Sequence, residues 1–66
     1  MKTEFIVSDM TCNHCVQTIT QAVRAVSPQA EVHVDLASHR VVIDSDADGA
    51  TLLAAIRDAD YDAQPA

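Results

Sequence analysis

The segment EVHVDLASHRVVID, residues 31–44, contains two short runs in which apolar and polar side chains alternate. The runs cover Glu31–Leu36 and Arg40–Asp44, and three residues lie between them. Alternation with a period of two is typical of strands that bury one face, and a short connection between two such runs predicts a hairpin. The apolar side chains of this hairpin are therefore expected to point toward one common core.

A helix is predicted before this hairpin, from about Asn13 to Val26. Apolar side chains recur there at spacings of three and four residues, which places them on one helical stripe. Ser27-Pro28 ends the helix, because the residue before a proline is pushed away from helical dihedral angles. The predicted buried stripe consists of Val16, Ile19, Ala22, Val23 and Val26.

A second helix is predicted after the hairpin, from about Gly49 to Ala59. Asp46 or Asp48 can cap its first turn, since a carboxylate at this position accepts a hydrogen bond from a free backbone N–H group. Its buried face is expected to carry Leu52, Leu53, Ile56 and Ala59.

Extended segments are predicted at both ends of the chain. The segment 3–8 alternates with Phe5 and Val7 on one side, and a short last strand is expected around residues 61–63. The order βαββαβ predicts an α+β fold, a ferredoxin-like sandwich in which two helices cover one face of a four-stranded antiparallel sheet. We expect a single domain covering residues 1–66, with the last strand at a sheet edge.

The charge balance and the composition exclude several classes of function. Ten Asp and Glu residues against four Lys and Arg residues give a formal net charge of −6, which repels a phosphate backbone and argues against nucleic-acid binding. No apolar run approaches the roughly 18 residues that a membrane span requires, so no membrane insertion is expected. The N-terminal residues lack a secretion-signal pattern, which favours a cytoplasmic location.

Two cysteines separated by two residues form the main functional motif, within the sequence MTCNHC of residues 10–15. Cys12 and Cys15 lie where the first strand gives way to the first helix. Cys15 falls in the first helical turn, where free backbone N–H groups and the helix dipole stabilise a thiolate. A reduced cytoplasmic pair is typical of a metal or redox site. Two thiolates without another obvious ligand suit a soft ion of low coordination number, above all copper(I).

Other roles for these residues remain open on the sequence alone. The pair is also compatible with a small thiol–disulfide redox protein, although such folds are normally longer. A closed zinc site would need four ligands. Met10 could add a thioether ligand, but its place at the end of a strand favours core packing. His14 is expected to point to solvent, and His33 and His39 are expected to be exposed strand and turn residues.

The MTCNHC motif, the βαββαβ order and Tyr61 near the end together resemble the heavy-metal-associated domain family, over essentially the whole chain. The family includes bacterial copper chaperones, N-terminal domains of copper-transporting P-type ATPases and periplasmic mercury-binding proteins. The resemblance implies that Cys12 and Cys15 bind the metal. It also implies that Met10 is a buried packing residue, and that Tyr61 approaches the loop that carries Cys12 and Cys15, called the metal loop below. His14 is expected, from its place between the cysteines rather than from the resemblance, to support the loop; an imidazolium there could lower the thiol pKa values or serve a shared or exchanging metal.

The resemblance implies a cytoplasmic copper(I) chaperone rather than an enzyme. One ion would pass by ligand exchange to a partner such as a copper-transporting P-type ATPase. The alternatives are an N-terminal metal-binding domain of such an ATPase, or a carrier of mercury, zinc or cadmium. A monomer is expected, with a metal-bridged dimer as the other state that exposed thiolates permit.

Two residues depart from the family pattern, which usually has glycine before the Met and before the Tyr. Here these positions are Asp9 and Asp60. Asp tolerates left-handed backbone angles better than most residues, so both turns are expected to survive. The two added carboxylates are also expected to raise the attraction of the metal loop for cations, divalent ones included.

Overall fold

A computed structural model describes residues 2–66, and Met1, the first residue of the predicted domain, lies outside the described residues. The predicted order βαββαβ is confirmed. The elements are β1 (Lys2–Val7), α1 (Asn13–Val26), β2 (Glu31–Asp35), β3 (Arg40–Asp44), α2 (Gly49–Asp58) and β4 (Ala63–Pro65).

The four strands form one antiparallel sheet in the order β2-β3-β1-β4, which confirms the predicted ferredoxin-like class. β4 occupies one edge, as expected for its short length. β1 is a central strand that pairs with β3 on one side and β4 on the other. Since each of these pairs is antiparallel, the end of β1, the β2–β3 turn and the α2–β4 loop lie at the same end of the molecule.

The helices cover the face of the sheet on which the apolar side chains of the strands lie. Phe5 stands opposite Val41 and Val32 stands opposite Ile43, so their side chains share this face. The buried side chains are Phe5, Val7, Met10, Ile19, Val23, Ala30, Val41, Ile43, Leu52, Ala55, Ile56 and Ala63. Both helices contribute, which confirms the two predicted stripes in their central turns.

One residue predicted to be buried is exposed. Val26 retains 46% of its accessible surface, because it is the last residue of α1 and borders a shallow groove between the two helices. Four alanines line much of this groove, and their methyl groups are too small to cover the valine.

The second helix begins and ends close to the predicted residues. Asp48 caps it, since its carboxylate accepts a 2.8 Å hydrogen bond from the backbone N–H of Thr51. The same bond lowers the pKa of Asp48. The last strand starts later than predicted. Tyr61 lies in a loop, because Asp60 takes a left-handed φ of 70° and pairing with β1 begins only at Ala63.

Met10 has no exposed surface and belongs to the core cluster. We predict that Met10→Ala lowers the free energy of unfolding by about 2–5 kcal/mol, since truncation leaves a cavity in a packed interior. Met10→Leu conserves volume and should cost less than about 1.5 kcal/mol. Urea denaturation of the three metal-free proteins measures both values. Equal stability of the Ala variant and the wild type would contradict a packing role.

Candidate metal-binding site

The candidate site lies at the end of the molecule where three connections meet. The first is the loop from β1 to α1, residues 8–12, which leaves the sheet through a turn closed by the 3.2 Å bond from Met10 N–H to the Val7 carbonyl. The second is the β2–β3 turn, residues 36–39, and the third is the α2–β4 loop, residues 59–62. The sheet order therefore brings together residues that are far apart in the chain.

The two cysteines lie together at the beginning of α1. Their sulfur atoms are 3.3 Å apart. Cys12 is the residue that precedes the first helical turn, has an extended backbone and is exposed. Cys15 lies within the first turn and is half-buried against the core. Both thiols are free, and the site presents two adjacent sulfur atoms that differ in exposure.

Tyr61 reaches the half-buried thiol from the α2–β4 loop. A hydrogen bond from its hydroxyl, then bonds from the Thr11 backbone and the Cys12 side chain, lower the pKa of Cys15 from 9.0 to about 7. Partial burial opposes this shift but does not cancel it. The same bond raises the pKa of Tyr61, because ionising the phenol would remove the donor. The Cys15 thiol therefore ionises more readily near neutral pH than an ordinary cysteine.

Met10 and His14 occupy opposite environments. The thioether of Met10 is enclosed in the core, whereas the His14 side chain is exposed between the two cysteines. His14 also is not among the groups that lower the pKa of Cys15. Within residues 2–66, no three His, Cys, Asp or Glu side chains form a group that could hold a metal ion. In the described part of the chain, the two sulfur atoms stand without a third ligand of these types.

His39 lies in the β2–β3 turn, as predicted, but the prediction that it is exposed is wrong. The residue is half-buried and has a left-handed φ of 57°. Its Nδ1 lies 3.0 Å from the carbonyl oxygen of Met10. A carbonyl oxygen only accepts, so this bond places the proton on Nδ1. His33, in contrast, is exposed as predicted, on the outer face of the sheet.

The two aspartates that replace the usual glycines behave differently from each other. Asp60 adopts the left-handed angle that was expected of it. Asp9 does not, and its carboxylate instead accepts hydrogen bonds of 3.1 and 3.3 Å from the backbone N–H of Asp62. Neither this bond nor the His39 contact leaves a signal in the sequence, since the partners are separated by 53 and 29 positions.

Comparison with known proteins places this geometry in a family. The sequence matches the heavy-metal-associated domain over residues 4–62. The chain therefore belongs to the heavy-metal-associated domain family, and the resemblance noted in the sequence is confirmed.

Relatives of known role are similar over most of the chain. The copper chaperone CopZ of Enterococcus hirae is 44% identical over 46 residues, which is 70% of this chain and 67% of CopZ. Copper-transporting ATPase 1 of Rhizobium meliloti is 38% identical over 65 residues, or 96% of this chain. The chain spans only 8% of the length of that ATPase.

A solved structure shares both fold and sequence with this chain. The copper chaperone Atx1 from Synechocystis PCC6803 superposes with a TM-score of 0.89 at 33% identity, over 92% of this chain and 97% of the other. Within residues 2–66, neither helix has the length and apolar character needed to cross a membrane.

The Tyr61 hydrogen bond makes the reactivity of Cys15 depend on pH in a defined way. We predict that Tyr61→Phe moves the pKa of Cys15 upward from about 7 toward 9.0. The rate of alkylation against pH in metal-free protein measures this, with Cys12→Ser in both proteins so that one thiol reacts. By linkage, the stabilisation from all the hydrogen bonds to the Cys15 thiolate, of which the Tyr61 bond is the largest, is present above pH 9 and is lost as the pH falls through about 7. Coincident alkylation profiles would contradict the hydrogen bond.

Proposed function

We propose that this chain is a cytoplasmic copper(I) chaperone that binds one ion between Cys12 and Cys15 and passes it to a partner protein. The observation that carries the proposal is the pair of sulfur atoms 3.3 Å apart, at an exposed loop of a heavy-metal-associated domain. The partner we propose is a metal-transporting P-type ATPase or a similar metal-binding domain. Two proteins similar to this chain are copper chaperones, which supports copper(I) as the metal.

The number of ligands favours copper(I) over the other candidate metals. Thiolates are soft ligands, and copper(I) accepts two of them in a low-coordinate site. Zinc prefers four ligands in a tetrahedral arrangement. Since the described residues offer no group of three candidate side chains, zinc and cadmium would have to complete their coordination with solvent or with a second molecule. Mercury shares the softness of copper(I) and remains the other ion that this pair suits.

The difference in exposure between the cysteines suggests an order for the transfer. An incoming partner thiolate adds to the two-coordinate ion and forms a three-thiolate intermediate. Cys12, exposed and placed before the helix, dissociates first, and the partner's second thiolate then replaces Cys15. Each step exchanges one copper–sulfur bond for another, with no change of oxidation state. Because donor and acceptor offer the same ligands, the transfer needs little difference in free energy.

A second candidate function is that of an N-terminal metal-binding domain in a copper-transporting ATPase. The similarity to a short part of such an ATPase favours it. The chemistry at the two cysteines would be the same, and only the rest of the polypeptide would differ. The size of the native polypeptide, detected in cell extract with an antibody to this domain, distinguishes the carrier from the larger transporter.

Binding stoichiometry tests the two-thiolate site. We expect the reduced protein to bind one copper(I) per chain. Cys12→Ser and Cys15→Ser should each weaken binding by more than the 10- to 100-fold that is typical of losing an outer-shell partner. Titration in competition with a copper(I) chelator measures the affinities. Parallel titrations with zinc(II), cadmium(II) and mercury(II) rank the metals.

Met10→Leu is the matched control for this titration. This substitution removes the thioether sulfur of Met10 and conserves the volume of the core. Copper affinity should therefore stay within about threefold of wild type. A large loss in Met10→Leu would assign a ligand role to the thioether. Near wild-type affinity in either serine variant would contradict the proposed site.

Tyr61 is expected to slow the loss of copper, since its hydroxyl forms a hydrogen bond with the Cys15 thiol. We predict that Tyr61→Ala releases copper(I) to a small chelator about tenfold faster than wild type, and that Tyr61→Phe lies between the two. Stopped-flow release rates are compared with thermal midpoints of the same proteins. A lowered midpoint with an unchanged release rate in the Ala variant would leave Tyr61 with a packing role alone.

A further inference from the structure

The pairing of β1 with β4 ends just before the metal loop. Val7 and Ala63 form the last pair of this ladder, and beyond them both strands leave the sheet. Asp9 lies two residues after Val7, and Asp62 directly precedes Ala63. The carboxylate of Asp9 accepts the Asp62 N–H through both oxygens, at 3.1 and 3.3 Å. A side chain thus takes the place of the next backbone hydrogen bond.

This bond lies directly beside the contact between the two loops of the site. Asp62 follows Tyr61, and Asp9 precedes Met10, whose side chain is fixed in the core. On the other side of the metal loop, the His39 ring holds the Met10 carbonyl at 3.0 Å. The beginning of the metal loop is therefore hydrogen-bonded to both the β2–β3 turn and the α2–β4 loop. The bond through Asp9 is the one to the loop that carries Tyr61.

We propose that Asp9 is a positioning residue, which holds the Tyr61 loop against the metal loop and thereby slows the release of copper from Cys15. Its link to copper rests on the function proposed above, whereas its link to Tyr61 is a property of the metal-free protein.

The hydrogen bond, and not the negative charge, explains the role of Asp9. Asp60 and Asp62 carry two further carboxylates on the adjoining loop, so the charge of Asp9 by itself would push that loop away. The backbone N–H of Asp62 offsets this repulsion by direct donation to the carboxylate. Asn at position 9 keeps an acceptor oxygen in the same place and removes the charge. Asp9→Asn is therefore expected to retain the function, and Asp9→Ala is expected to lose it.

Tyr61 provides a direct signal for this test. The chain has one Tyr and no Trp, so its intrinsic fluorescence comes from this side chain. In reduced, metal-free protein, acrylamide should quench the fluorescence of Asp9→Ala about twofold more efficiently than that of wild type. Asp9→Asn should match wild type. Asp46→Ala is the matched control, since it removes an exposed carboxylate at the opposite end of the sheet.

Copper release completes the experiment. Transfer from the loaded proteins to a small copper(I) chelator should be about three- to tenfold faster for Asp9→Ala than for wild type. It should be within about twofold of wild type for Asp9→Asn and for Asp46→Ala. Thermal midpoints, measured on the same samples, show whether the variants are folded.

Each other outcome overturns a defined part of the proposal. Unchanged Tyr61 quenching in Asp9→Ala overturns the positioning role, whether or not the wild type binds copper. Increased quenching with an unchanged release rate overturns the link to copper. Equal effects of Ala and Asn overturn the hydrogen-bond explanation, because charge alone would then account for both. If the wild-type protein does not bind copper, the proposed function is contradicted. The quenching measurement on metal-free protein still decides the positioning role of Asp9.

Discussion

The antiparallel pairing of β1 with β3 on one side and with β4 on the other is the interaction on which the site depends. A central strand is held along both edges, so the loop that follows it starts from a rigid point. The same pairing brings the β2–β3 turn and the α2–β4 loop to that end of the sheet. Tyr61 thus reaches Cys15, and His39 reaches the Met10 carbonyl, although these residues come from distant parts of the chain.

The metal loop combines a fixed base with an exposed tip. Met10 is enclosed by the core, and two residues later Cys12 is exposed. Burial of the thioether limits how far the loop can move, whereas the free cysteine can be reached by another molecule. Cys15 belongs to both regions, since its sulfur packs against the core and also accepts the Tyr61 hydrogen bond. For the proposed carrier, this arrangement retains the ion through one cysteine while the other is exchanged.

Local patterns predicted the elements well where residues close together in the chain decide the structure. The helix from Asn13 to Val26 has the predicted bounds, because its stripe and the proline after it are both local signals. Predictions failed where the outcome depends on what packs against a residue, or pairs with it, in the folded protein. Val26 fits the stripe but lies beside a groove lined mostly by small alanines, and Tyr61 fits a strand but lacks a pairing residue on β1.

The sequence by itself determined the βαββαβ order, the family and the two cysteines, because periodicity and the spacing of a short motif are properties of neighbouring residues. Only the tertiary structure decided what surrounds the cysteines. The Asp9–Asp62 bond and the His39–Met10 bond join residues 53 and 29 positions apart, and nothing in either segment marks its partner. A hydrogen bond across such a distance exists only once the sheet has brought two loops together, since its donor and acceptor are ordinary groups found throughout the chain.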